Sequence, residues 1–97
     1  MEILVVLFTS GLTIEEVYAK FEQRAEKFRR VNGLLQKYYV HAKSTGEVGA
    51  IYIFDTKQNL EAFRSSDLPK DTRDAYKVLE DPSVRELEVI HTLYDRT

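Results

Sequence analysis

Apolar stretches alternate with amphipathic stretches along the chain, and this pattern predicts four strands and three helices. Residues 2–8 form a continuous run rich in Ile, Leu and Val, which is typical of a strand covered on both faces and therefore central in its sheet. Residues 34–42, 48–54 and 84–94 are rich in branched and aromatic side chains and predict three further strands. The polar segment KSTGE at residues 43–47 predicts a hairpin between the second and third strands.

The first predicted helix begins after Thr13 and ends before Asn32. Thr13 and Glu16 have the spacing of a capping box, and Gly33 suits the left-handed C′ position that follows a helix. One apolar stripe runs between these two signals over four helical turns. It comprises Ile14, Val17, Tyr18, Phe21, Ala25 and Phe28.

Two shorter helices are predicted between the third and fourth strands. The first is capped by Asp55 or Thr56 and runs to Arg64. A loop over residues 65–68 separates it from the second, in which Pro69 fits the first turn because a proline there loses no hydrogen bond. The apolar residues of this last helix are Ala75, Tyr76, Val78 and Leu79.

The order β-α-β-β-α-(α)-β predicts a single α+β domain of the ferredoxin-like type over residues 1–97. A right-handed crossover joins the first two strands, and the hairpin places the third strand between them. The four-stranded antiparallel sheet then has the order 4-1-3-2, with helices on one face only. Both faces of the first and third strands are apolar, so the uncovered face predicts a homodimer packed sheet to sheet across a two-fold axis.

Charge and composition exclude several classes of protein. The net charge of -2 is opposite in sign to what a nucleic-acid surface requires. The chain has no cysteine, which excludes disulfides and thiolate chemistry and is compatible with a reducing, cytoplasmic location. Residues 1–8 are apolar but too few to span a bilayer, so no membrane partner is expected.

Histidines are the first candidates for chemistry, and the chain has two, His41 and His91. They fall on the second and fourth strands, at opposite edges of the predicted sheet, so no metal site is expected from them within one protomer. A histidine on a sheet face is often a hydrogen-bonded structural residue. His91 is the better candidate for a general base, because it alternates with Leu87 and Val89 on one face, where desolvation would keep the imidazole neutral near neutral pH.

Aromatic side chains are the candidates for substrate binding. Tyr52 and Phe54 project from one face of a central strand. They form either plain core or a flat wall for a planar ligand, with the Tyr52 hydroxyl as a polar handle. Tyr38 and Tyr39 are adjacent, so one faces the helices and the other faces the partner sheet. We take Tyr39 as the candidate, although the alternation alone does not choose between them.

Two arginines are further candidates for binding a substrate. Arg24 lies between the aromatic residues of the first helix, and Arg64 ends the second. Each either holds an anionic group of a ligand or is a solvated helix charge. The chain has no Ser/His/Asp order, Gly-rich phosphate loop or His-x-x-x-His pattern. Residues 48–54 also lack the basic-Gly-aromatic signature of RNA-recognition domains, which share the ferredoxin-like fold.

Three segments carry a resemblance to a known family. They are NGLL with KYY at residues 32–39, GAIYIF leading into LEAFRS at residues 49–65, and PSV at residues 82–84. Through them nearly the whole chain resembles the small mono-oxygenase-like proteins of the dimeric α+β barrel superfamily, which also holds the antibiotic-biosynthesis mono-oxygenases. The resemblance implies a homodimer with a cavity between sheet and helices in each subunit. In some members it implies oxygenation of aromatic polyketides without metal or flavin, so no cofactor is expected.

The chain departs from these relatives at positions that bear on chemistry. Their third strand often ends in Trp, where this chain has Phe54. Haem-degrading relatives rely on an Asn, a Trp and a His, but this chain has no Trp and neither Leu7 nor Phe8 is Asn. Two hypotheses follow. The protein is a cofactor-free mono-oxygenase for a small aromatic or quinone-like substrate, or it is a non-catalytic small-molecule-binding or sensing homodimer that uses the same cavity.

Overall fold

The computed structural model describes residues 1–94, in which four strands form one antiparallel sheet. The strands are β1 (Glu2–Phe8), β2 (Leu34–Ala42), β3 (Glu47–Phe54) and β4 (Ser83–Glu88). Their order across the sheet is β2-β3-β1-β4, which confirms the predicted ferredoxin-like order 4-1-3-2. The two central strands are β1 and β3, the two that are apolar on both faces.

Three helices pack on one face of the sheet. They are α1 (Ile14–Arg29), α2 (Lys57–Ser65) and α3 (Asp67–Ala75). The capping box that begins α1 is confirmed, because Thr13 Oγ1 accepts the N–H of Glu16 at 3.2 Å and Glu16 Oε1 accepts the N–H of Thr13 at 2.9 Å. Thr56, rather than Asp55, caps α2 by accepting the N–H of Asn59 at 3.1 Å. Within residues 1–94, no helix combines the length and the apolar character needed to cross a bilayer.

Helix boundaries differ from the predicted ones at three points. α1 ends at Arg29, so the left-handed Gly33, with φ +76°, lies beyond the end of the helix rather than at its C′ position. Residues 65–68, predicted as a loop, contain the start of α3, which has Ser66 as its N-cap residue. α3 ends at Ala75, because Lys77 adopts a left-handed φ of +47°. Tyr76, Val78 and Leu79, predicted as part of this helix, therefore follow it.

The last strand is shorter than predicted. The sequence predicts a strand through Tyr94, but β4 ends at Glu88, whose register partner in β1 is Glu2. One further hydrogen bond follows the last pair of β1 and β4: the N–H of Val89 donates to the C=O of Met1 at 3.1 Å. The strand ends here because β1, its only neighbour in the described chain, begins at this point.

The core lies between the sheet and the helices. Leu4 and Phe8 on β1 and Ala50, Tyr52 and Phe54 on β3 are buried on this side of the sheet. They pack against apolar residues of the three helices and of the segment after α3. These helix-side contacts include Val17, Phe28, Leu60, Phe63 and Tyr76. The shared face of Tyr52 and Phe54 predicted from the sequence is therefore the face that packs against the helices.

The opposite face of the sheet is open in the protomer. Its central positions are apolar and only partly buried: Ile3, Val5, Leu7, Ile51 and Ile53. Tyr38 on β2 and Leu87 on β4 are 56% and 43% exposed on the same face. An open apolar face of this kind is typical of a surface that packs against a partner.

Candidate functional site

A cavity of about 260 Å³, which we call the main cavity, lies between the sheet and the helices. Leu4, Val6 and Tyr52 form its apolar floor on the central strands. Phe63 of α2 and Thr72 of α3 form the opposite wall. The remaining lining residues, three of them cationic, are Phe8, Arg64, Pro69, Lys70, Arg73, Val78, Pro82 and Val84.

A much smaller cavity, the inner cavity, shares a wall with the main cavity. Its volume of about 20 Å³ has room for one water-sized group. The shared residues are Val6, Phe8, Tyr52 and Thr72. The rest of its lining is mainly aromatic and contains one cation. These residues are Phe21, Phe28, Lys37, Tyr39, Gly49, Ala50 and Tyr76.

A third cavity, the outer cavity, lies between α1 and β2 with a volume of about 260 Å³. It shares Phe28, Lys37 and Tyr39 with the inner cavity. Among the described residues, no Asp or Glu lines any of these three cavities. Their lining is therefore aromatic and electropositive, although the net charge of the chain is -2.

Lys37 is the functional candidate that the sequence analysis missed. Its Nζ lies 3.1 Å from the ring centroid of Phe28, 4.5 Å from that of Tyr39 and 4.9 Å from that of Tyr52. Strand pairing explains this position, because Lys37 is the register partner of Tyr52 and lies two residues before Tyr39 on the same face of the sheet. Within residues 1–94 its ammonium has no carboxylate partner within 4.0 Å.

The environment of Lys37 makes its amine titrate near neutral pH. Burial disfavours the charged ammonium and, together with the nearby Arg24 guanidinium, lowers the pKa of Lys37 from 10.5 to about 7. The surrounding rings act in the opposite direction, because each cation–π contact stabilises an ammonium by about 0.5–2 kcal/mol. Both the neutral amine and the ammonium form of Lys37 are therefore populated near neutral pH.

Arg24 is buried, so the interpretation as a solvated helix charge is wrong for this residue. Its side chain is 6% exposed. Nη2 donates to Thr72 Oγ1 at 2.7 Å and makes a longer contact of 3.4 Å with the C=O of Leu68. Nε has no hydrogen-bond partner among the described residues. The guanidinium carbon lies 5.7 Å from the ring centroid of Phe28 and 5.8 Å from that of Tyr76.

The tyrosines near Lys37 keep their protons at neutral pH. Burial raises the pKa of Tyr52 far above its ordinary value of 10.0, and burial also raises the pKa of Tyr76 to about 12. The pKa of Tyr39 is raised for the same reason. These hydroxyls are suited to donate hydrogen bonds rather than to accept a proton as bases.

The structure brings together most of the binding residues proposed from the sequence. Tyr52 lines the main and inner cavities, and Tyr39 lines the inner and outer cavities, whereas Tyr38 lies on the open face. Phe54 is fully buried beneath Phe63 and lines none of the three cavities.

The second arginine proposed from the sequence lies at the exposed rim of the main cavity. The Arg64 guanidinium is paired with the Glu86 carboxylate of β4, and both side chains are substantially exposed. Since the ion pair occupies the guanidinium, Arg64 is less available for an anionic ligand than the buried Arg24.

His91 does not join these residues. It follows the end of β4, is exposed, and lines none of the three cavities. The role proposed for His91 as a general base requires a buried imidazole, and one protomer does not bury it. A catalytic role for His91 stays a prediction.

The fold is that of a small ferredoxin-like α+β protein, and solved structures named as antibiotic-biosynthesis mono-oxygenases share it. More specifically, the chain belongs to the family described as putative mono-oxygenase ydhR, whose family model matches residues 3–93. The resemblance noted in the sequence is thereby confirmed. No curated protein matches the chain in sequence.

Several solved structures share the fold over nearly the full length of the chain. A variant of SnoaB, a cofactor-independent oxygenase from Streptomyces nogalater, has a TM-score of 0.74 at 16% identity, with 95% of each chain covered. The monooxygenase ActVA-Orf6 of Streptomyces coelicolor, in complex with Nanaomycin D, has a TM-score of 0.72 at 14% identity, covering 98% of this chain and 92% of that one. A variant of MhuD with two manganese protoporphyrin IX molecules per active site has a TM-score of 0.73 at 12% identity, covering 97% and 99%.

Proposed function

We propose that the protein is a cofactor-free mono-oxygenase that binds a small aromatic or quinone-like substrate in the main cavity. The observation that carries this proposal is the cavity itself, which is largely apolar, is lined by Tyr52 and Phe63, and lies between sheet and helices in a member of a mono-oxygenase family. Its volume of about 260 Å³ is just below the range of about 300–1,000 Å³ that is usual for drug-sized ligands, which favours a compact ring system.

The proposed reaction needs little from the protein beyond binding, deprotonation and exclusion of water. Removal of a proton converts the substrate to a carbanion or enolate, which can transfer electrons to O₂ without a bound cofactor. One oxygen atom enters the substrate and the other leaves as water, with the substrate supplying the electrons. Tyr52 lines the cavity and keeps its proton at neutral pH, so we expect its hydroxyl to donate a hydrogen bond to the developing oxyanion.

We further propose that the protein forms a homodimer through the open face of the sheet. Support comes from the apolar central positions of that face and from the exposure of Tyr38 and Leu87 beside them. A chain of 97 residues has a small core and therefore a thin margin of stability. Packing the open faces of two sheets together would bury the apolar side chains that the protomer leaves exposed. A cytoplasmic location remains a prediction made from composition.

Oxygen consumption tests the proposed reaction. Anthrones and hydroquinones should be oxidised with uptake of O₂ by the unmodified protein. Tyr52→Phe should lower kcat by roughly 10- to 100-fold, the usual worth of one hydrogen bond to a charged group. Tyr38→Phe is the matched control, because Tyr38 lies on the opposite face of the sheet. Equal rates for Tyr52→Phe and the unmodified protein would place the reaction outside the main cavity.

The second candidate function is binding or sensing without turnover. The exposed position of His91 favours it, because the base predicted from the sequence does not reach the cavity within one protomer. Saturable binding of a quinone or hydroxyaromatic, with no O₂ uptake by the unmodified protein on any compound tested, would support this function and contradict the oxygenase proposal.

A further inference from the structure

We propose that Lys37 binds the acidic hydroxyl of the substrate: its neutral amine accepts the proton of a phenol or enol, and the resulting ammonium holds the oxyanion in the inner cavity. This inference rests on the proposed function, because it assigns the base and the substrate class of the same site. The substrate class is an aromatic compound whose hydroxyl ionises easily.

The first argument is the balance of charge. Lys37 and Arg24 both pack against the ring of Phe28, inside a protein of net charge -2, and neither has a carboxylate partner among the described residues. Arg24 is buried, and buried cations are normally paired. Its Nε has no hydrogen-bond partner among the described residues, although Arg24 itself lines none of the three cavities. Lys37 is partly buried and lines the inner cavity, so an oxyanion bound there would give its ammonium a partner.

The second argument is the position of the amine. Lys37 borders both the inner and the outer cavity, and its Nζ lies within 4.9 Å of the ring centroids of Phe28, Tyr39 and Tyr52. The inner cavity has room for about one water-sized group, which is the size of a hydroxyl oxygen. The main and inner cavities share Val6, Phe8, Tyr52 and Thr72, so in the proposed complex the ring of the substrate lies in the main cavity and its hydroxyl is directed across this shared wall toward Lys37.

The proton transfer is balanced within the complex. The O–H bond of the substrate breaks, a new N–H bond forms on Nζ, and a neutral pair becomes an ammonium–oxyanion pair. Lys37 suits this step because its pKa is lowered to about 7 by burial and by Arg24.

The other charged and titratable groups near Lys37 do not compete for this proton. Arg24 and Arg29 on α1 stay cationic. Tyr39 on β2, Tyr52 on β3 and Tyr76 after α3 have raised pKa values and stay protonated at neutral pH. Among these groups, Lys37 is therefore the one expected to exchange a proton near neutral pH.

Anaerobic calorimetry with 4-nitrophenol tests the inference apart from any oxygenation. At about pH 8 the ligand is ionised in solution and the free amine of Lys37 is mostly neutral, so binding should draw about one proton from the buffer. Titrations in two buffers of different ionisation enthalpy measure this uptake. Lys37→Arg, which is always charged, should bind 4-nitrophenolate with no proton uptake. Lys37→Met should bind it at least about tenfold more weakly.

Lys27→Met is the matched control, because Lys27 is exposed on α1, and it should show the proton uptake and affinity of the unmodified protein. Proton uptake by Lys37→Arg equal to that of the unmodified protein, or unchanged affinity in Lys37→Met, would overturn the inference. A second measurement does not depend on folding of Lys37→Met. NMR of ¹³C-methylated lysines should show one signal that titrates near neutral pH and moves to higher pH when the phenol binds. If every lysine signal titrates at an ordinary pKa, the inference fails.

These results are separable from the test of the proposed function. O₂ uptake without proton uptake on phenol binding would retain the oxygenase and remove Lys37 from it. Proton uptake in a protein that consumes no O₂ would retain Lys37 as the binding group and refute the oxygenase.

Discussion

Replacing Lys37 by methionine should stabilise the protein at neutral pH and reduce the pH dependence of its stability. In the native state the pKa of Lys37 is lowered to about 7, whereas an unperturbed lysine has a pKa of 10.5. Between these two values the unfolded chain binds more protons than the native one. The free energy of unfolding of the unmodified protein should therefore rise with pH across this window and be lowest below it.

The size of the effect follows from the same two pKa values. Each pH unit between them is worth up to about 1.4 kcal/mol. From about pH 7 to pH 9 the contribution of Lys37 should thus improve by about 2 kcal/mol. Above that range the raised pKa values of Tyr52 and Tyr76 act in the opposite direction, because tyrosines ionise more easily in the unfolded chain.

The assay is guanidinium denaturation of both proteins at several pH values and one fixed protein concentration. Lys37→Met should be the more stable protein at pH 7, and its advantage should shrink by about 2 kcal/mol by pH 9. Lys27→Met, at an exposed position, should show a constant difference from the unmodified protein. A difference between Lys37→Met and the unmodified protein that stays flat over this range would refute the assignment of a strongly lowered pKa to Lys37.

Three further substitutions test the packing. Gly49→Ala should destabilise the protein by about 3 kcal/mol in denaturant titrations, because a Cβ there would overlap the carbonyl of Val6; an unchanged midpoint would contradict this close approach. Phe54→Ala should cost about 3–5 kcal/mol by the same assay, since Phe54 is fully buried, and a loss under 1 kcal/mol would show a core that collapses around the gap. Ile51→Arg on the open face should convert the proposed dimer to a monomer in sedimentation experiments, whereas Ile51→Val should not; a dimer in both variants would place the interface elsewhere.

Most of the fold could be predicted from the sequence because the local signals agree with one another. The two central strands are apolar on both faces, and the residues that cap α1 and α2 are of standard types at standard spacing. The end of β4 could not be predicted in this way. β4 ends where its neighbour β1 begins, because Glu88 pairs with Glu2. The apolar pattern of residues 84–94 carries no information about this register.

The candidate site was only partly predictable. The alternation along β3 placed Tyr52 correctly, and pairing with β2 settles which of Tyr38 and Tyr39 faces the helices. Arg24 and Lys37 were harder, because charged residues on a helix or an edge strand are usually solvated. The signal that could have found Lys37 is its alternation with Tyr39 on one face of a strand that pairs with a buried one.

The inward direction of Lys37 has a consequence for solubility. β2 is an outer strand of nine residues, and its free backbone groups would readily pair with a strand of another molecule. A lysine that points inward from such a strand opposes this pairing, because a strand added alongside would trap the ammonium away from water. Lys37→Met is therefore expected to gain thermodynamic stability while becoming more prone to aggregate, so the two properties should change in opposite directions in one variant.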